Sequence, residues 1–93
     1  MQLGGFEAYL AWLTRESPDV EARQAVETFL TEAAREPWRA PSTPIPELSS
    51  QPDYEVRTVE LTLPSGGSVQ IWYRHIYVTQ QVEVLDVTGL GAT

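Results

Sequence analysis

Two runs near the end of the chain constrain its fold more than any other feature: Val69-Gln70-Ile71-Trp72-Tyr73-Arg74-His75-Ile76-Tyr77 and Val82-Glu83-Val84-Leu85-Asp86-Val87. β-Branched and aromatic side chains suit a pleated, half-buried surface, and short polar links at 64–68 and 79–81 bound both runs. They predict two antiparallel strands of one small sheet, over about 69–78 and 82–88. The pair also carries the only His, two of the four Tyr, one of the three Trp and one of the six Arg, so any chemistry is expected here.

Upstream, Val59, Leu61 and Leu63 alternate with Thr58, Glu60 and Thr62, the period-two pattern of a strand over about 56–63 with one wet face. Pro64-Ser65-Gly66-Gly67-Ser68 then turns the chain, its glycines supplying positive φ, which predicts a hairpin with Val69, Ile71 and Tyr73 inside beside the odd-numbered row of the first strand. Gln70, Trp72 and Arg74 fall on the even face. In 82–87 the apolar positions use both faces, which predicts either a central strand covered on both sides or a bulge near Val84.

The first third of the chain is helical in pattern. Phe6, Tyr9, Leu10 and Leu13 fall at i, i+3, i+4 and i+7, predicting a helix over about 5–16 whose face Ala8 and Trp12 widen; Trp12 then either touches a second neighbour or lies at a partner surface. Ser17-Pro18-Asp19 is a helix-start signal, with Ser17 as cap, and the set Ala22, Ala25, Val26, Phe29, Leu30 and Ala33 carries a second helix over about 18–35 until Pro37 stops it. Residues 37–53 hold five of the seven prolines, and predict an extended strap anchored by Trp38, Ile45 and Leu48. Two helices and a three-stranded antiparallel meander make a single α+β domain with the helices on one sheet face. The other face, with Trp72, Ile76, Val78 and Leu85 or Val87, predicts a dimer or a partner protein.

Charge and composition narrow the function. Thirteen acidic residues against six arginines and no lysine give −7, which repels polyphosphates and argues against nucleic acid as a partner. No cysteine and one histidine argue against disulfides, thiol catalysis and zinc, so neither a metal nor a cofactor is expected. No run reaches the roughly 18 apolar residues that cross a bilayer, and the start has no basic or apolar leader, which predicts a cytoplasmic protein without membrane contact.

The order of these features resembles the RelE/ParE superfamily of bacterial toxin–antitoxin proteins. The matching features are Ser17-Pro18 between the helices, the loop Pro44-Ile45-Pro46-Glu47-Leu48, Arg57 on the next strand, Tyr73-Arg74 on the strand after and the valine-rich Val82–Val87, a likeness covering about residues 6–88. The resemblance implies that family's fold and a protein partner, either an antitoxin or a topoisomerase target. Three departures bear on activity: residues 1–5 are too short and glycine-rich for the family's opening strand, 88–93 lack the basic, Tyr or His groups of its ribonucleases, and the chain is acidic. What is implied is therefore the gyrase-inhibiting rather than the mRNA-cleaving branch.

Arg57, Tyr73, Arg74 and His75 are the candidate catalytic residues, since a histidine that titrates near neutrality and an arginine beside a phosphoryl group are what a small ribonuclease needs. Alternation opposes this, because Tyr73 and His75 share one face and Arg74 takes the other. Trp72, Arg74, Ile76, Tyr77 and Trp12 are the candidate partner-binding residues, aromatic and arginine side chains being those that carry interface energy. The sequence thus predicts a protein-interaction module that binds an antitoxin, a topoisomerase or its own copy; a ribonuclease toxin and a phage or host regulatory protein of unrelated ancestry are the alternatives.

Overall fold

A computed structural model describes residues 2–36, 42–45, 54–64, 66–76, 79 and 81–90. The order is β1 (Gln2–Gly4), α1 (Phe6–Glu16), α2 (Val20–Arg35), β2 (Thr43–Pro44), β3 (Tyr54–Thr62), β4 (Ser68–Ile76) and β5 (Gln81–Leu90). The strands form one sheet in the order β1-β5-β4-β3-β2. The class is α+β, as the periodicities predict, but the antiparallel part has four strands rather than three, and β1 adds a parallel fifth. Both additions are short and held through backbone groups, so side-chain patterning carries no trace of them.

The β3–β4 hairpin follows its alternation. Leu63 N–H donates to the Gly67 carbonyl at 3.1 Å, Gly66 and Gly67 take φ of 105° and 77°, and Val59 lies opposite Ile71 and Leu61 opposite Val69. Val69, Ile71 and Tyr73 are buried on the odd face against the helices. In β5 the bulge alternative holds: Asp86 pairs with Trp72 and Val84 with Tyr73, so Leu85 is the extra residue. Val82, Val84 and Val87 therefore all join the core, and only Leu85, 41% exposed, stands off it; β5 is not apolar on two faces.

The helices cover this odd face with one correction each. In α1 the buried centre is Trp12, at 1% exposure, flanked by Ala8, Tyr9 and Leu13, whereas Phe6 and Leu10 are 54% and 56% exposed. The helix is turned relative to its aliphatic stripe because the largest apolar surface, the indole, goes inward. Trp12 is thus core and not a partner surface. Its indole N–H donates to Glu16 Oε1 at 3.2 Å, the same oxygen accepts from Gly89 N–H at 2.9 Å, and Arg15 donates to the Val87 carbonyl at 2.7 Å, fastening α1 along β5. In α2 the cap is Asp19, whose carboxylate accepts from Ala22 N–H at 2.9 Å, while Ser17 ends α1 in a left-handed turn. Val26, Phe29, Leu30 and Ala33 fill the space above β4, with Phe29 edge-on to Tyr73 at 5.6 Å.

Candidate functional site

Alternation along β4 sends neighbouring candidates to opposite faces, and the pairing register shows which residues join them. Arg57 lies opposite Tyr73 and Glu55 opposite His75, so all four share the helix-covered face. Val56 lies opposite Arg74, Thr58 opposite Trp72 and Tyr54 opposite Ile76, and these share the helix-free face. The separation of Arg74 from Tyr73 and His75 is the one that strand geometry predicts; alternation also puts Arg57 in the odd-numbered row on the latter pair's face, and the register adds that it stands directly opposite Tyr73.

On the helix side Arg57, Glu55, Ser42 and Tyr73 satisfy one another. Arg57 forms an ion pair with Glu55, donates from Nε to Ser42 Oγ at 2.6 Å and from its terminal nitrogen to the Ser42 carbonyl at 2.9 Å. The Tyr73 hydroxyl lies 2.7 Å from Ser42 Oγ, and Tyr73 as a whole is fully buried. Burial raises the Tyr73 phenol above its ordinary pKa, against the opposing pull of Ser42 and Arg57. Burial lowers the His75 imidazole, Arg57 adds to that effect and Glu55 opposes it. At neutral pH this cluster is a protonated tyrosine, a neutral imidazole and an arginine already paired, which is a structural joint between β2, β3 and β4 more than an acid–base set aimed at solvent.

The helix-free side is built differently. Arg74 donates to Glu83 at 2.6 Å from the neighbouring strand, and its guanidinium stacks 5.0 Å from the Tyr54 ring centre. Trp72 is half-buried between Thr58 on β3 and Asp86 on β5, and Ile76 is half-buried at the end of β4. Val56, only 3% exposed, lies in the same row as Tyr54 and apart from the main core. Aromatic, aliphatic and guanidinium groups thus stand together on the face opposite both helices, as in interface centres. Tyr77, also a candidate here, lies outside the described residues, as do Trp38 and Leu48 of the strap.

Four partners escaped sequence reasoning. Glu55 stands two positions from Arg57 on one strand and so necessarily shares its face, a signal that alternation offered. Glu83 and Tyr54 reach Arg74 only through the register and the bulge, and Ser42 sits in a proline-rich stretch that carries no period. Among the described residues no three His, Asp or Glu side chains converge as a metal ion would need, and no helix is long and apolar enough to cross a membrane. Comparison with protein-family models, with curated proteins and with solved structures finds no match to this chain.

Proposed function

We propose that the chain is a small cytoplasmic protein-interaction module of RelE/ParE toxin-like architecture, which acts by binding an antitoxin, a topoisomerase or a second copy of itself through the helix-free face of the sheet. The observation that carries this reading is the grouping of Trp72, Arg74, Ile76 and Tyr54 on the face that neither helix covers. Aromatic rings and a guanidinium held in place by Glu83 lose little freedom when a partner covers them, so much of their contact energy is realised as affinity. The toxin-like architecture draws support from β1, a strand before the first helix where the sequence offered none, followed by two helices and consecutive antiparallel strands.

A small ribonuclease is the second reading, favoured by the convergence of Arg57, Tyr73 and His75 on one face. It ranks lower because Tyr73 is sealed, Arg57 is paired with Glu55, Arg74 lies on the far side and the −7 charge opposes RNA encounter.

The test places a photo-crosslinking amino acid at position 72 in the expressed full chain, with the same group at Glu27 on α2 as control. Protein adducts, to a partner or to a second copy, should form from position 72 and not from 27, and Arg74→Ala should reduce them. Equal labelling from both positions, or none from 72, overturns the proposal. In light scattering, Trp72→Glu should return any assembly to the 10.4 kDa monomer with helical circular dichroism retained; an unfolded variant would instead make Trp72 part of the core.

A further inference from the structure

We propose that the groove between α2 and β3, on the opposite side of the sheet from Trp72, is a second docking site, for a cationic amphipathic segment of a partner protein. Its existence follows from widths. Strands lie about 4.8 Å apart and a helix is about 10 Å across, so each helix covers about two strands and two helices leave part of a five-stranded sheet bare. Here α1 lies over β5, while α2 crosses from β4 towards β5 and β1, away from β3. The bare part is the inner row of β3, where Val59 and Leu61 are only half-buried although they continue the core.

The resulting groove holds about 430 Å³. Leu61, Phe29, Ala25 and Pro64 give it an apolar floor, and Gln24 and Thr28 supply neutral polar edges. That volume lies within the roughly 300–1,000 Å³ of side-chain and small-ligand pockets, enough for one or two large apolar side chains. Among the described lining residues the charged groups are two carboxylates, Glu21 and Glu32, three turns apart on the helix rim. Arg35 lies one turn beyond Glu32 and outside the lining, and Arg23 and Glu27 are on the flank of α2 that faces Tyr9. An apolar floor between two carboxylates selects an occupant with large apolar anchors flanked by Arg or Lys, and it rejects acidic segments. A second copy of this chain is a poor occupant, since it carries −7 and no lysine.

The test selects a random displayed-peptide library on the immobilised full chain and maps the enriched peptides by amide chemical shifts. Enriched sequences should pair Leu, Phe or Trp with Arg or Lys, and should shift Gln24, Thr28, Phe29, Glu32 and Leu61. The Glu21→Gln/Glu32→Gln variant, folded by circular dichroism, should bind them roughly three- to tenfold more weakly, as the loss of two exposed charge pairs implies. Salt at about 0.5 M should weaken wild-type binding in the same direction. Trp72→Glu should leave the affinity unchanged, which separates this site from the helix-free face. The inference is overturned if no peptide is enriched, if the enriched peptides are neutral or acidic, if their shifts map to the strand residues around Trp72, or if the double variant binds as well as wild type.

Discussion

Gly5 makes the sharpest test of how the first helix meets the sheet. It stands between β1 and α1 with φ of 77°, and a Cβ there would overlap the Val84 carbonyl oxygen while lying 2.7 Å from the Val84 nitrogen and 3.0 Å from its carbonyl carbon. Those atoms belong to backbone in the sheet, so they cannot swing aside as a side chain would. A left-handed backbone costs a residue with a Cβ about 1–2 kcal/mol. Relieving the overlap costs about 1–3 kcal/mol more, as overpacking usually does. Gly5→Ala should therefore destabilise by about 2–5 kcal/mol, a large share of the roughly 5–15 kcal/mol that holds a domain together. Gly4→Ala is the control, because a Cβ one position earlier meets nothing closer than 4.0 Å. That variant should stay within about 1 kcal/mol of wild type. Urea unfolding followed by fluorescence of the three tryptophans gives both values. If Gly5→Ala loses less than about 1 kcal/mol, or no more than Gly4→Ala, the close approach of Gly5 to Val84 is refuted.

Phe29→Ala should cost about 3–5 kcal/mol, the usual price of emptying a large aromatic site, and a loss below about 1 kcal/mol would show that Phe29 is not the edge-on partner of Tyr73. His75, whose pKa is lowered by burial, resists protonation in the fold, so the unfolded chain binds the extra proton and stability falls with acidification. The contribution is full above the ordinary value of 6.5 and is lost as pH drops towards the folded pKa; the stability difference between wild type and His75→Gln in urea titrations should shrink from pH about 7.5 to about 5, and an unchanged difference contradicts it. No ribonuclease turnover is expected from purified protein with mRNA and translating ribosomes, because each positioned acid or base is worth about 10²–10⁴-fold and His75 and Arg74 point to opposite faces. Cleavage that disappears in both Arg74→Ala and His75→Ala would restore the nuclease reading.

What the sequence made legible was whatever side-chain period writes down. Val69, Ile71 and Tyr73 alternate and are buried together; Val26, Phe29 and Leu30 keep helical spacing and are buried together. Where backbone alone makes the structure, the sequence was silent: Gln2-Leu3-Gly4 pairs with β5 through main-chain groups, and Thr43-Pro44 does the same against β3. Competition between equals was the second difficulty. Phe6 and Leu10 fit a helical stripe as well as Trp12 and Ala8 do, and only the packing against β5 decides that the indole wins. Ser17 and Asp19 both suit a cap, and the geometry of the link gave the role to Asp19. The candidate site was half readable, since alternation separates Arg74 from His75 and puts Glu55 beside Arg57, but Glu83 and Ser42 enter through the bulged register and an aperiodic segment.

The adjacency of β1 and β5 sets an order on synthesis. A ribosome delivers Gln2–Gly4 well before Gln81–Leu90, yet these two strands lie side by side and α1 rests on the later one. Until β5 emerges, the buried indole of Trp12 has no Val87 or Gly89 beneath it, Glu16 has no backbone N–H to accept from, and β4 keeps an unpaired edge. The hairpin of β3 and β4 can form locally, but the sheet order cannot, because its long-range pairing waits on β5. A nascent chain of this protein therefore travels with α1 unsheltered until β5 is made, in the state where a chaperone or a partner waiting at the tunnel exit meets the most apolar surface.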